Sequence, residues 1–168
     1  MHRILYVEPE LCSGCRICEA VCSFGKTGGV QPSKSKIKVV NWFHLGLSVP
    51  VVCVNCSNPY CAAVCPTQAI SRDHSTGIVK LDDSKCIGCK KCIQACPFGA
   101  ISFDQDRKVA VKCDLCQGHP LCAQYCPTGA VIYVAPVETG KIKARRIADK
   151  VKETLKVGRK AVALRFKP

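Results

Sequence analysis

Sixteen of the 168 residues are cysteine, and they fall into four groups of four. The first group is Cys12, Cys15, Cys18 and Cys22; the second is Cys53, Cys56, Cys61 and Cys65. The third is Cys86, Cys89, Cys92 and Cys96; the fourth is Cys113, Cys116, Cys122 and Cys126. Groups one and three run C-x2-C-x2-C-x3-C, group two C-x2-C-x4-C-x3-C and group four C-x2-C-x5-C-x3-C. Proline follows the last cysteine of three groups (Pro66, Pro97, Pro127), whereas Ser23 follows that of the first. What these cysteines bind must hold the chain together. The hydrophobic content is 48% but drops to about 38% without them, below the usual apolar share. The core is therefore thin, while so many cross-linkable and β-branched residues argue against disorder.

Three uses of cysteine compete. Disulfides need an oxidising compartment, and Met1 to Pro9 shows neither a long apolar stretch nor a small-residue cleavage pattern. That points to a cytoplasmic protein with reduced thiols. Zinc sites favour two cysteine pairs split by a longer loop, so that one ion sees a tetrahedron. The C-x2-C-x2-C-x3-C run is instead the bacterial iron–sulfur pattern, in which three cysteines of a tight loop and the fourth cysteine of another group ligate one cluster. Four [4Fe–4S] clusters account for all sixteen cysteines. The fourth of each group is expected on a helix that turns away, aided by the following proline, which has no N–H.

The chain also repeats itself. Cys65-Pro66-Thr67-Gln68-Ala69-Ile70, Cys96-Pro97-Phe98-Gly99-Ala100-Ile101 and Cys126-Pro127-Thr128-Gly129-Ala130-Val131 are copies of one motif, each leading into a strand pattern. Hairpins are expected at Ile70–Arg72 with Ile78–Leu81 and at Ile101–Phe103 with Val109–Val111, and Val131–Val134 begins a third. Arg3–Val7 reads as a strand. This predicts an α+β fold of two interleaved bacterial-ferredoxin-like modules, each with two [4Fe–4S] clusters, with short hairpins and helices and a basic C-terminal helical tail. The four-cluster core is residues 1–140. Groups two and three (about 51–109) form one module, and groups one and four (about 1–50 and 110–140) form the other. Crossing of the fourth cysteine then predicts the ligand sets Cys12, Cys15, Cys18 with Cys126; Cys113, Cys116, Cys122 with Cys22; Cys53, Cys56, Cys61 with Cys96; and Cys86, Cys89, Cys92 with Cys65.

Residues 23–52 are an insertion containing a strand pattern, Lys34–Val40, and then Trp42, Phe43, Leu45 and Leu47. Interrupted by Asn41, His44, Ser48 and Pro50, it is too short to span a membrane. It covers a module or packs on a partner, with Trp42 a packing residue or a shield for a cluster. Residues 141–168 lack cysteine. Ala144, Ile147, Ala148, Val151 and Leu155 recur at helical steps among Lys143, Arg145, Arg146, Lys150 and Lys152. Gly158 reads as a helix stop before an apolar segment, Ala161–Phe166.

The four-group pattern resembles the iron–sulfur subunits of the dimethyl-sulfoxide-reductase type, most closely over Cys53–Pro66, with Asn58-Pro59-Tyr60-Cys61, and from Lys112-Cys113-Asp114-Leu115-Cys116 to Cys126-Pro127-Thr128-Gly129-Ala130. The resemblance spans about residues 3–135. The short form is similar to small subunits paired with tungsten-containing aldehyde oxidoreductases, the favoured comparison, and to electron carriers of hydrogenases, formate dehydrogenases and carbon monoxide dehydrogenases. It implies an electron-transfer subunit with no catalytic residues of its own. Single electrons would pass between a large tungsten- or molybdenum-pterin catalytic subunit and a downstream acceptor. A free polyferredoxin is the other reading of this kind.

Within the cluster loops, Ile17, Val54, Ile87 and Leu115 would exclude water, and Lys85, Lys90, Lys91 and Lys112 would favour the reduced state or simply face solvent. His2, His44, His74 and His119 are scattered and read as structural. No nucleophile–base pair or glycine-rich phosphate loop is present. The formal charge of +13 raises a zinc-based nucleic-acid binder, but aromatic content is 6% and the basic excess lies away from the cysteines. Residues 141–168 hold 11 basic and 2 acidic residues, leaving +9 there and +4 in residues 1–140. Four clusters at about −2 each would turn that core mildly acidic. The tail is then expected to dock on a catalytic partner, on further copies of the chain or on its own core, with neither nucleic acid nor a membrane span involved.

Overall fold

Short strands alternate with short helices because every cysteine group ends one element and starts the next. The computed structural model describes the backbone of residues 3–165 and the side chains of residues 3–155; His2 and Phe166, considered above, lie outside these. The strands are β1 (Ile4–Val7), β2 (Lys38–Trp42), β3 (Leu47–Val51), β4 (Ile70–Arg72), β5 (Val79–Leu81), β6 (Ile101–Asp104), β7 (Val109–Lys112) and β8 (Val131–Val134). The helices are α1 (Ile17–Thr27), α2 (Tyr60–Ala63), α3 (Lys91–Ala95), α4 (Leu121–Gln124) and α5 (Pro136–Arg165).

The strands form four antiparallel pairs, β1–β8, β2–β3, β4–β5 and β6–β7. Two of the hairpins follow the expected limits closely, and an aspartate builds each turn. Asp73 Oδ1 accepts from the N–H groups of Ser75 and Thr76. Asp104 Oδ1 accepts from those of Asp106 and Arg107. These are the local side-chain bonds that make aspartate a turn residue. The expected third hairpin does not form. β8 pairs with β1, in the register Ile4↔Val134 to Val7↔Val131, because β1 is the apolar strand that lacks a local partner. The insertion strand begins at Lys38 rather than Lys34, since Pro32–Lys34 forms a 3-10 turn. Its hairpin tolerates Pro50 opposite Val39, because the Val39 N–H points away from the ladder, to Glu19 Oε1 at 2.9 Å.

Two apolar cores form in the cysteine-bearing region, and cysteine is part of both. One joins Leu5, Ile37, Val39, Val52, Ile78, Leu115 and Val131 to Cys18, Cys22, Cys53, Cys113 and Cys122. The other joins Ile70, Val79, Ile101 and Ala110 to Cys61 and Cys92. Helix α1 packs on α4, and α2 on α3.

The chain divides into two compact units, Met1–Val134 and Ala135–Pro168, so the expected boundary at 140 falls inside a helix. Pro136 opens α5 at a position where its missing N–H costs nothing. Glu138 reaches back to accept from the Ala135 N–H at 2.9 Å. The helix also runs through Gly158 rather than stopping there. A helix-interior glycine costs only about 1 kcal/mol, and lysine, arginine and alanine surround it.

Candidate metal centres

The cluster loops share one backbone device. In group one, Gly14 (φ +71°) and Arg16 (φ +60°) adopt left-handed conformations, and in group three Gly88 (φ +68°) and Lys90 (φ +62°) do so at the same places in the motif. A Cβ at Gly88 would come within 2.5 Å of the Lys108 carbonyl oxygen, so only glycine fits there. The wider groups use other left-handed residues: Asn55 in group two, and Leu115, Cys116 and Gln117 in group four. Non-glycine residues held in this region cluster at functional sites.

The cysteines surround hollows. Cys53, Cys56, Cys61 and Cys96 line a hollow of about 360 Å³, open solvent included, with Val79, Ile101 and Lys112. Cys65, Cys86, Cys89 and Cys92 line one of about 310 Å³ on the same measure with Ile70, Leu81 and Ala110. Cys22, Cys113, Cys116 and Cys122 line a third, of about 340 Å³ with open solvent included, with Leu5, Ile37 and Val52; Cys53 also reaches its wall. Cys12 and Cys126 pack against the same core as Cys18, and the charges of Cys126 and Cys15 both act on Cys18. A wider, open hollow, about 1050 Å³ including open solvent, has no cysteine in its lining. Its Lys36, Lys80 and Arg107 are engaged by Asp114, Asp73 and Asp83.

Electrostatics separates two kinds of cysteine. Burial pushes the Cys18 thiol up to about 12, with the Glu19 charge adding to it. Burial does the same to Cys113, also to about 12, and raises Cys122, Cys56, Cys61 and Cys92. Such thiols resist ionisation unless a cation arrives with the ligand, which is what a metal centre supplies. Cys65 and Cys126 shift the other way. Burial raises them, but hydrogen bonds win: the Thr67 hydroxyl with the N–H groups of Ile70, Ala69 and Thr67 for the former, and the Val131 N–H, the Thr128 hydroxyl and further N–H groups for the latter. Thr67 Oγ1 lies 3.7 Å from Cys65 Sγ, and Thr128 Oγ1 lies 3.8 Å from Cys126 Sγ.

In three groups the last cysteine sits just past its helix rather than on it. Cys96 caps α3 at φ −78°, ψ 111°, the extended region that a following proline imposes. Cys22 differs. With Ser23 after it, α1 continues to Thr27, 11 residues in all, and carries both Cys18 and Cys22. Ser23 is fully buried; its hydroxyl donates to the Ala20 carbonyl and accepts from the Gln31 N–H. The Lys36 N–H donates to Cys22 Sγ at 3.3 Å.

Several of these residues gave no signal in spacing or composition. Glu19 is 1% exposed and ties Arg16 to the backbone of β2. Asn55 lies between two cysteines of one loop, and its side chain accepts from the Val79 N–H. The threonines of the Cys-Pro-Thr repeat were visible as a repeat, not as thiol partners. Of the four lysines beside cysteines, Lys112 alone is buried; Lys85 bridges to Asp82 and Lys90 lies over the Phe103 ring. Leu115 is buried, whereas Ile17 and Ile87 are exposed, so water exclusion falls chiefly to the first. His44, His74 and His119 are exposed.

Residues 45–135 match the 4Fe–4S dicluster domain. The chain belongs to that family. Three of its four cysteine groups fall within the match, and the first precedes it. Over 116 residues the chain is 40% identical to the aliphatic sulfonate oxidoreductase polyferredoxin-like subunit of Pyrococcus furiosus, covering 69% of this chain and 66% of that one. It is 38% identical over 128 residues to the putative electron transport protein YsaA of Escherichia coli, covering 69% and 77%. It is 39% identical over 112 residues to formate hydrogenlyase subunit 2 of Escherichia coli, covering 66% and 53%. This 4Fe–4S dicluster chain thus spans about half to three quarters of the length of these relatives. Among solved structures, a chain of the active-site complex BamBC of benzoyl coenzyme A reductase aligns with a TM-score of 0.48 at 23% identity, over 92% of this chain and 96% of that one.

Among the described residues, no three His, Cys, Asp or Glu side chains converge closely enough to hold a single metal ion. Twelve of the sixteen cysteines stand around the three hollows, as a multi-atom cluster requires, and the soft thiolate donors suit iron–sulfur chemistry. No helix among the described residues is long and apolar enough to cross a membrane.

Proposed function

We propose that the chain is an electron-transfer subunit with four [4Fe–4S] clusters, relaying single electrons between a catalytic oxidoreductase subunit and an acceptor. The observation that carries this reading is the coincidence of three apolar hollows with three of the cysteine quartets expected from ligand crossing. The fourth quartet, Cys12, Cys15, Cys18 and Cys126, completes the set. When bound, such clusters supply one-electron storage at potentials tuned by hydrogen bonds, charge and exposure.

The protein's own residues set an order. Helix α1 carries Cys18 for the first centre and Cys22 for the second. Cys53 walls the hollows of the second and third centres. Cys61 and Cys92, in one apolar core, join the third centre to the fourth. The two exposed cysteines, Cys15 and Cys89, belong to the first and fourth sets, so the ends of the relay face outward, while the two middle sets contain only buried and partly buried cysteines. On this reading the two interleaved modules are groups one with four and groups two with three, supported by the pairing of β1 with β8 and the packing of α2 on α3.

The partner is a tungsten- or molybdenum-pterin oxidoreductase of the aldehyde oxidoreductase kind, in the cytoplasm. This part rests on the resemblance alone, since one fold serves many partners. α5 is the docking element: Val137, Ile147, Val151 and Leu155 are exposed on a basic helix. Anaerobic purification from the native host, followed by iron, zinc, tungsten and molybdenum analysis, tests the reading. About 16 irons per chain and a co-purifying pterin enzyme are expected. Zinc in place of iron, or about eight irons, overturns the four-cluster relay; a nickel enzyme as partner overturns only the choice of partner. Removing residues 141–168 should leave the iron content unchanged and weaken assembly by light scattering, on the catalytic subunit or on other copies.

A further inference from the structure

Lys112 is 4% exposed, in a chain whose other lysines beside cysteines face solvent. Its Nζ donates to the Val79 carbonyl at 2.7 Å, to the Cys113 carbonyl at 3.0 Å and to Asn55 Oδ1 at 3.3 Å. All three partners are neutral oxygens, and no ion pair among the described residues includes Lys112. Removing an ammonium from water is costly unless an opposite charge compensates it. The missing negative charge has an obvious place, because Lys112 lines the hollow walled by Cys53, Cys56, Cys61 and Cys96.

Asn55 fixes this arrangement. Sitting between Cys53 and Cys56 with a left-handed backbone, it accepts from Lys112 and from the Val79 N–H with the same oxygen, so the ammonium is clamped between a cluster loop and the end of β7. A fixed cation in a low-dielectric wall acts far more strongly on a neighbouring charge than one in water.

Resting on the four-cluster reading, we propose that Lys112 is the buried counter-charge of the centre built on Cys53, Cys56, Cys61 and Cys96 and raises its reduction potential, with Asn55 as the positioning residue. The reduction it favours adds one electron to that centre, with no proton taken up and no bond formed or broken. Lys112 thereby keeps an interior station of the relay reducible in an apolar cavity that would otherwise resist added negative charge.

The test uses the full chain loaded with clusters under anaerobic conditions, with iron content and a redox titration followed by electron paramagnetic resonance. Lys112→Met should retain wild-type iron and move one midpoint to lower potential, most strongly among the four, while Lys112→Arg should leave it near the wild-type value. If Lys112→Met fails to load, Lys112→Gln takes its place in the titration; if neither neutral variant loads and Lys112→Arg does, the requirement for charge is shown directly. A neutral variant that loads with all midpoints unchanged overturns the proposal, as does an arginine variant that shifts equally or also loses iron. A wild-type chain lacking four clusters would instead defeat the reading on which the proposal rests.

Discussion

The first cysteine group and the other three reach the same end by different means. Where proline follows the last cysteine, the helix stops within four or five residues and the thiol lies just beyond it. At Cys65 and Cys126 a threonine two residues on and a run of N–H groups then favour the thiolate. Where serine follows, the helix runs on past the cysteine to reach 11 residues in all, and donors come from distant sequence: the Lys36 N–H for Cys22, and Gln31 for Ser23. A local turn is replaced by an insertion folded back onto the helix. The first solution is encoded within six residues; the second needs residues 23–40 to be correctly packed before Cys22 is ready for its centre.

The most damaging way to break this comparison is to impose the local solution on the first group. Ser23→Pro would remove a helical N–H and drive the ring into the preceding turn, costing about 3 kcal/mol or more, and would delete the buried hydroxyl that holds Gln31. Loss of about a quarter of the iron, together with a markedly lower Tm, is expected. Iron content and thermal unfolding at wild-type level would show that the two kinds of group are interchangeable.

Next in size is the tie between α1 and the insertion. Glu19→Ala would leave the Val39 N–H, buried and facing away from β3, without its acceptor. An unsatisfied buried donor costs about 1–3 kcal/mol. The ion pair to Arg16 contributes little to this figure, because the Arg16 side chain is 55% exposed. Denaturant unfolding checks the loss, and equal destabilisation by Arg16→Ala would move the role from the β2 backbone to the ion pair.

A smaller effect is expected on the threonines. Thr67→Val and Thr128→Val keep the shape and remove a hydroxyl near Cys65 Sγ or Cys126 Sγ. Stability should change by less than about 1 kcal/mol. Hydrogen bonds to sulfur help set cluster potentials, so the centres served by these cysteines, the first and fourth in the relay, should move to lower midpoint potential. Redox titration of each variant reads the shift, and an unchanged midpoint in both would confine the threonines to shaping the turn.

Which parts of this were legible in the sequence follows from where their causes lie. The cysteine quartets, two hairpins and the short helices depend on spacings of two to six residues, and the chain states them openly. Pairing of β1 with β8 was not visible, because the strand after Cys126 looks like the start of a hairpin, whereas its partner lies 124 to 130 residues upstream, at Ile4–Val7. Glu19 and Asn55 were hidden, and Lys112 could not be told from Lys85, Lys90 and Lys91, for a related reason. A charged or amide side chain becomes functional here only through burial against residues 20 to 57 positions away, and no local pattern records that. Gly158 misled in the opposite direction: a residue that ends many helices is only mildly unfavourable within one when its neighbours are strong helix formers.

The slightest change isolates what the prolines do. Pro66→Ala, Pro97→Ala and Pro127→Ala each restore an N–H and free the preceding cysteine to adopt helical backbone angles. If the prolines alone stop the helices, these variants should lengthen α2, α3 or α4 and pull the cysteine from its centre, with a loss of iron approaching that of Ser23→Pro. The thiol environment argues otherwise. Cys65 and Cys126 are held by several N–H donors and a hydroxyl beyond the helix end, and a ligated sulfur adds a covalent anchor. Each proline then contributes mainly by restricting the unfolded chain, about 0.4–1 kcal/mol. The expected outcome is a small fall in Tm with iron content and helical circular dichroism unchanged, whereas increased helicity with lost iron would make proline, not the donors, the element that sets the three short groups apart from the first.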